Sequence, residues 1–240
     1  MKADFTLFAL HYKSSFWARV QVEAFQRFFR PCGGARLFLV DTSCEASSDW
    51  IDRYRHIVRE HGDKAATTTI LDVLKILHDH PVCTSNRTTG KRQLSNKEGA
   101  AFNFCYEWLL DTSKGGRPRF FGTFHSDVFP IRPVTDLVEH RLDGMGVYGS
   151  TATYGNAKES ERTAETWHFH PQLTIWKLTF LDHLRQGRPI DFSPGGGYDT
   201  GGGMRKIAPL PREYAHYRLS ESFYSMVRIT AAVVRAPSVQ

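Results

Sequence analysis

Short apolar runs alternate with amphipathic segments in the first half of the chain, and this alternation restricts the fold more than any other feature. The runs Phe5–Leu10, Leu37–Val40 and Arg119–Phe124 have the length and continuous apolar character of buried strands. Between the first two runs, apolar residues recur every three or four positions, as in a helix with one face on a core. They are Trp17, Val20, Ala24, Phe25 and Phe28. Strands that alternate with helices predict an open α/β sheet whose strands are mostly parallel.

Weaker patterns extend this prediction along the chain. Residues Ile70–Leu77 are apolar without a clear period, and we expect a helix there. Ser95 and Glu98 have the spacing of a capping box, which predicts that a helix begins at this point. Two further short strands are expected, at Met145–Ser150 and Leu173–Leu178.

Composition favours a single globular domain. The 240 residues contain no repeat and no linker long enough to separate domains, and 41% of them are hydrophobic, enough for one core. No apolar run approaches the roughly 18–20 residues that span a bilayer, and the N-terminus lacks the apolar region of a signal peptide. The cysteines are scattered without a C-x-x-C pair, which favours reduced thiols and a cytoplasmic location.

The charge balance favours an anionic ligand. Lys and Arg number 31 against 25 Asp and Glu, and the net charge of +6 suits a nucleotide, a phosphate or a nucleic acid without choosing between them. The basic residues are dispersed, and the chain has no helix-turn-helix, RRM or zinc-finger signature. We therefore expect no nucleic-acid partner.

Polar residues follow each of the three apolar runs. Ligands bind at the carboxyl ends of the strands in an open parallel sheet, so these residues are candidate ligand contacts. They are His11, Tyr12, Asp41, His125, Ser126 and Asp127. A carboxylate at this edge suits a hard divalent cation that bridges a diphosphate, which makes Asp127 the candidate metal ligand. The alternative is that Asp127 caps a turn before Pro130.

The order of the motifs resembles that of GT-A-fold glycosyltransferases, especially the family-2-like group. Leu39–Ser43 resembles the second strand of that family, Gly99–Asn103 its G-x-A-x-N-like helix, and His125–Pro130 its strand that ends in D-x-D. The resemblance covers residues 4–205. It implies a single GT-A-like domain with a Rossmann-like, mostly parallel central sheet flanked by helices.

The resemblance also implies how the chain is divided and what it binds. Residues 1–132 would form the nucleotide-binding half, residues 133–210 the acceptor-side half, and residues 211–240 a helical tail. The donor would be a nucleotide-diphosphate sugar, the acceptor a hydroxyl of a glycan or glycoconjugate, and the cofactor a divalent metal, Mn²⁺ or Mg²⁺. In the family the acid of the second strand, here Asp41, contacts the nucleobase. The other nucleotide-binding candidates are His11, Tyr12, Asn103 and Ser126.

One position departs from the family pattern. His125 stands where D-x-D has its first Asp, and imidazole binds Mn²⁺ but suits Mg²⁺ poorly. The metal would then be held by Asp127, with His125 or a later residue as a second ligand. The other possibility is an enzyme that needs little metal.

An inverting transfer of this kind needs a carboxylate that takes the proton of the acceptor hydroxyl. Asp199 and Asp191 are the candidates, because both lie in the glycine-rich segment late in the chain where the family places its acceptor-side acid. Asp199 is the first choice, since glycines on both sides let a substrate approach its carboxylate. Asp191, beside Phe192 and Pro194, is expected to fix the loop and is the second choice.

Two other classes of function are alternatives to glycosyl transfer. A nucleotidyltransferase would share the sheet and the metal site, but it is expected to have a glycine-rich phosphate loop with Arg and Lys after the first strand, where this chain has His11–Ser15. A non-enzymatic binder of polyanions or nucleic acid would suit the sequence pI of about 9.2, although the basic residues are dispersed.

Overall fold

The computed structural model describes residues 4–43, 49–62, 69–76, 91–112, 117–153, 167–194, 200–206 and 226–228. These residues form a central sheet with helices on both faces. The strands are β1 (Phe5–His11), β2 (Ala35–Asp41), β3 (Thr69–Lys75), β4 (Phe120–His125), β5 (Val128–Pro130), β6 (Val147–Thr153), β7 (Trp167–Lys177) and β8 (Met226–Arg228). The helices are α1 (Ser15–Phe28), α2 (Asp49–Gly62), α3 (Lys91–Thr112), α4 (Thr135–Met145) and α5 (Leu178–Arg185), with a 3₁₀ turn at Gly202–Lys206.

The sheet has the strand order β3-β2-β1-β4-β7-β6. Strands β3, β2, β1 and β4 run parallel, whereas β7 is antiparallel to both β4 and β6. The short strands β5 and β8 pair with each other beside this sheet. The predicted α/β class with a mostly parallel central sheet is confirmed.

Strands β1, β2 and β4 are buried along nearly their whole length, which explains the continuous apolar runs in the sequence. On one face Phe5 and Leu7 of β1 belong to a core cluster with residues of α1, α2 and α4. On the other face Phe8 and Leu10 belong to a second cluster with residues of α3 and α5. The carboxyl ends of the strands are therefore fixed from both sides.

Helix α1 lies between β1 and β2 as predicted, but a different face of it lies on the core. Its N-cap is Ser14, whose hydroxyl accepts a hydrogen bond from the backbone N–H of Trp17 at 3.3 Å. The buried side chains are Ala18, Gln21, Val22, Phe25 and Gln26. The apolar pattern favours a face centred on Val20 and Ala24. The buried face differs because it includes Gln21 and Gln26, whose polar side chains are buried with hydrogen-bond partners.

The predicted helix at Ile70–Leu77 is wrong, because residues Thr69–Lys75 form the parallel strand β3. A short apolar run fits a buried strand and a buried helix equally well, and pairing with β2, from Ala35 opposite Thr69 onwards, decides between them. The predicted helix start at Ser95 is also wrong, because α3 begins at Lys91.

The C-terminal half differs from the prediction mainly in the length of its strands. Strand β6 extends to Thr153, and β7 begins at Trp167 rather than Leu173. Of the predicted helical tail, residues 211–240, the structure describes three residues, and these form β8 instead, since pairing with β5 satisfies their backbone groups. Among the described helices, none is both long and apolar enough to cross a bilayer.

Candidate functional site

The strand register brings three predicted site residues to one edge of the sheet. His11 at the end of β1 lies opposite Asp41 at the end of β2, and Leu10 lies opposite His125 at the end of β4. Lys75, at the end of β3, lies opposite Asp41 and adds a cation to this edge. These carboxyl ends are called the strand edge below. Parallel pairing is what places them together, because it aligns the same end of every strand.

His11 is wholly buried, and the side chain of Gln21 holds it. Its Nε2 lies 2.9 Å from Oε1 of Gln21, and the Gln21 amide nitrogen donates to the carbonyl oxygens of His125 at 3.0 Å and Val128 at 2.7 Å. Burial lowers the pKa of His11 to about 4, an effect that the hydrogen bond with Gln21 opposes and the charge of His125 reinforces. His11 is therefore neutral at physiological pH, and its ring is buried and not an exposed contact.

Asp41 ends β2, and the ring of Tyr54 packs near His11 at the end of β1. Oδ1 of Asp41 accepts a hydrogen bond from the backbone N–H of Ser43 at 3.0 Å, which fixes the turn after β2. The hydroxyl of Tyr54, on α2, accepts one from the N–H of Ser14 at 3.2 Å, and its ring lies 5.6 Å from that of His11. Burial raises the pKa of Tyr54 to about 12, so its hydroxyl stays protonated.

His125 lies between two carboxylates. Its Nδ1 is 2.7 Å from Oδ1 of Asp127, a hydrogen-bonding distance, and its Nε2 is 3.6 Å from Oε1 of Glu98 on α3. The other oxygen of Glu98 accepts a hydrogen bond from the hydroxyl of Thr200 at 3.3 Å. The His125 ring is 32% exposed, whereas Asp127 and Thr200 are buried. The strand edge and the segment after the glycine run thus meet at Glu98.

Asp191 and Asn103 act on the segment around Phe192. The carboxylate of Asp191 is exposed and accepts a hydrogen bond from the N–H of Ser193 at 2.9 Å, and Oδ1 of Asn103 accepts one from the N–H of Phe192 at 2.8 Å. Gly99 lies against the same segment, since a Cβ on it would be 2.5 Å from the carbonyl oxygen of Phe192. Asn103 and Asp191 therefore hold the backbone at Phe192 and Ser193 in place.

The remaining predicted positions are Asp199, Tyr12 and Ser126. Asp199, the first candidate for the general base, lies outside the described residues. The ring of Tyr12 is 65% exposed, and the Lys13 ammonium lies 5.6 Å from its centre. Ser126 is a half-buried turn residue between His125 and Asp127.

Sequence reasoning missed Gln21, Glu98 and Thr200. A signal existed for Gln21, because it shares a helix face with Ala18, Val22 and Phe25, which are apolar and buried. The capping-box spacing of Ser95 and Glu98 gives no indication that Glu98 contacts Thr200 and lies near His125. No local pattern identifies Thr200, because its partner lies 102 residues earlier in the chain.

Comparisons with known proteins bear on the fold. No protein-family model matches the sequence, and neither does a curated protein. Among solved structures, the S. cerevisiae mannosyltransferase Ktr4p in complex with GDP is similar over 89% of this chain and 68% of its own, at 10% identity and a TM-score of 0.53. The Pyrobaculum calidifontis mannosyltransferase PcManGT in complex with GDP-Man and Mn²⁺ is similar over 87% and 52%, at 14% identity and a TM-score of 0.49. S. aureus TarS 1–349 in complex with UDP-GlcNAc is similar over 88% and 55%, also at 14% and 0.49.

The chain has the GT-A glycosyltransferase fold. It spans about half the length of PcManGT and TarS 1–349. At these identities the likeness establishes the fold alone.

The residues at the expected metal position of the GT-A fold fit a cation only in part. Within the described residues, no group of three His, Cys, Asp or Glu side chains is arranged to hold a metal ion. Asp127 and His125 are hydrogen-bonded to each other. A cation here would rest on Asp127 and take most of its ligands from a diphosphate and water, which is common for hard divalent cations.

Proposed function

We propose that this protein is a glycosyltransferase that moves a sugar from a nucleotide-diphosphate donor to a hydroxyl of a glycan or glycoconjugate. The observation that supports this most is the strand edge itself, where His11, Asp41 and the His125–Asp127 pair meet at the carboxyl ends of three parallel strands. In an open α/β sheet this is the place where ligands bind. The GT-A fold makes a nucleotide sugar the ligand that fits it best.

The nucleotide is proposed to lie across the ends of β1 and β2. Asp41 accepts a hydrogen bond from a base N–H, and Tyr12 offers an exposed ring on which a base or ribose can pack. Ser126 contributes a hydroxyl beside the diphosphate. His11 and Asn103 hold the surrounding backbone in place through the hydrogen bonds described above.

We propose that Asp127 is the protein ligand of a divalent cation, Mn²⁺ or Mg²⁺, with His125 as its neighbour. When bound, such a cation neutralises charge on the departing nucleotide diphosphate. The hydrogen bond from His125 holds the carboxylate of Asp127 in a single orientation at the strand edge. The buried position of Asp127 strengthens its interaction with a charged ligand, because few waters compete.

The transfer is proposed to invert the configuration, with Asp199 as the general base and Asp191 as the second candidate. An acceptor hydroxyl attacks the anomeric carbon, the bond to the diphosphate breaks, and the hydroxyl proton passes to the carboxylate. Thr200 follows Asp199 in the sequence and is hydrogen-bonded to Glu98, 3.6 Å from His125. This contact supports Asp199 as the general base, because it connects the residue next to Asp199 to Glu98, which lies near His125 at the strand edge.

Calorimetric titration with UDP-, GDP- and dTDP-sugars, with and without Mn²⁺, tests the proposal. We expect one nucleotide class to bind more tightly with Mn²⁺, and Asp127→Asn to lose that enhancement. Asp41→Ala should weaken binding by about 1–3 kcal/mol, since it removes a hydrogen bond to the base. Asp72→Asn is the control, because Asp72 lies within β3 in an ion pair with Arg36, away from the strand edge.

The outcomes separate the possible functions. Release of nucleotide diphosphate in the presence of an acceptor supports glycosyl transfer, whereas release of inorganic pyrophosphate from a nucleoside triphosphate and a sugar phosphate would indicate nucleotidyl transfer. Equal Mn²⁺ enhancement in the wild type and Asp127→Asn would remove the metal assignment. Unchanged affinity in Asp41→Ala would remove the base contact.

A further inference from the structure

Gln21 uses every polar atom of its side chain and joins segments that are far apart in sequence. It is wholly buried on α1, and its three hydrogen bonds reach residues 10, 104 and 107 positions away. Its buried neighbours on the same helix face include Ala18, Val22 and Phe25. An apolar residue would pack at such a position without any desolvation cost, so packing alone does not account for a glutamine.

The geometry fixes the orientation of the Gln21 amide and, through it, the tautomer of His11. The carbonyl oxygens of His125 and Val128 only accept hydrogen bonds, so the NH₂ group must face them. Oε1 then faces Nε2 of His11, which has to donate, and His11 carries its proton on Nε2. The Nδ1 atom of His11 is left buried without a hydrogen-bond partner.

The same amide holds both ends of the turn that contains Asp127. The two carbonyls it binds belong to the residues at either end of His125–Val128. Without these donors, both carbonyls would lose a hydrogen bond, that of Val128 in a buried setting, and an unsatisfied buried carbonyl is unfavourable. The turn would relax towards other partners, and the carboxylate of Asp127 would move with it.

We propose that Gln21 is a positioning residue: it locks His11 in its Nε2–H form and holds the His125–Val128 turn so that Asp127 faces the diphosphate before any ligand binds. The part that concerns the diphosphate rests on the proposed function. The part that concerns His11 and the turn does not. Supporting groups of this kind behind a metal-binding residue are worth about 10–100-fold in affinity or activity.

Gln26 provides a matched control on the same helix. It is also a buried glutamine, and its amide nitrogen also donates to a backbone carbonyl, that of His61, at 2.9 Å. That carbonyl belongs to α2 and not to the strand edge. Gln21→Met and Gln26→Met therefore remove the same chemical group from the same kind of environment, and only one of them touches the turn.

The experiment has two measurements on the wild type and both variants. The first is the histidine ring nitrogen NMR spectrum without ligand, which reports the tautomer of His11. The second is calorimetric affinity for UDP and GDP with Mn²⁺. We expect the Nε2–H form of His11 in the wild type and Gln26→Met, and a changed His11 ring signal in Gln21→Met. We expect nucleotide affinity to fall about 10–100-fold in Gln21→Met only.

The outcomes separate this inference from the proposed function. A wild type that binds neither nucleotide overturns the proposed function, and the ring spectra still decide the role of Gln21. Unchanged His11 signals in Gln21→Met, or equal affinity losses in the two variants, overturn the assignment. If Gln21→Met does not fold, the wild-type spectrum decides: the Nε2–H tautomer supports the network and the Nδ1–H tautomer contradicts it.

Discussion

The two sides of the candidate site are held in different ways. At the strand edge, side chains make the connections, as in the bonds of Gln21 to the ends of β1 and β4. Around Phe192, on the proposed acceptor side, bonds between backbone groups add to the side-chain bonds: the N–H of Gly201 donates to the carbonyl of Phe192 at 2.6 Å, and that of Gly203 to the carbonyl of Ser193 at 2.9 Å. The first side should therefore respond to changes in charge and protonation, and the second to changes in volume.

The largest expected effect separates the two sides by function. Asp199→Asn keeps the size of the side chain but removes its basicity, so transfer should fall by about 10²–10⁴-fold while donor binding persists. Transfer, donor hydrolysis and nucleotide affinity should be measured together. Asp191→Asn is the matched control, since its carboxylate accepts a hydrogen bond from Ser193 within the loop.

Two results would contradict this division of roles. Transfer close to wild type in Asp199→Asn, with a collapse in Asp191→Asn, would move the general base to Asp191. Loss of donor affinity in Asp199→Asn would show that the acceptor side also holds the donor.

The next effect tests whether protonation controls the strand edge. Burial lowers the pKa of His11 to about 4 from its ordinary value of 6.5. Between these values the unfolded chain binds a proton that the folded chain does not, so this contribution to stability is complete above about pH 6.5 and is lost as the pH falls towards 4. The difference corresponds to about 3 kcal/mol. Urea unfolding at several pH values should show this slope in the wild type and a shallower one in His11→Gln; equal slopes would contradict it.

The smallest effect tests the sensitivity of the acceptor side to volume. A Cβ at Gly99 would lie 2.5 Å from the carbonyl oxygen of Phe192, a backbone atom that cannot rotate away. Gly99→Ala should therefore lower the free energy of unfolding by about 1–3 kcal/mol, although alanine favours a helix. Asn103→Ala, which removes only the hydrogen bond to Phe192, should cost about 1 kcal/mol. Thermal unfolding of both variants measures these losses of stability. A Gly99→Ala variant as stable as the wild type would show that the backbone around Phe192 moves to make room for the methyl group.

The sequence predicted the parts of the fold that depend on local pattern. Phe5–Leu10 and Leu37–Val40 are strands because both faces of the sheet are covered, and α1 lies between them as predicted. Strand β3 was missed because Ile70–Leu77 has no period that separates strand from helix. Pairing with β2 settles its structure, and that contact is not local.

The residues of the candidate site also differ in whether a local pattern predicts them. Residues that directly follow strands, such as Asp41 and His125, were found because a parallel sheet aligns strand ends. Gln21 and Glu98 were missed because they reach the site from helices, over distances that no sequence period encodes. Buried Gln21 also runs against the rule that polar residues face solvent, and only its three partners account for it.

The strand order has a consequence for how the chain folds during synthesis. β1 lies between β2 and β4, and Phe5 pairs with Phe120, far later in the chain. Until β4 has left the ribosome, one edge of a strand that is apolar on both faces has no native neighbour, and such edges are prone to aggregate. Contacts this distant in sequence also form slowly. The strand edge is consequently incomplete until β4 has joined the sheet, and a nascent chain that stops before residue 120 lacks both His125 and Asp127.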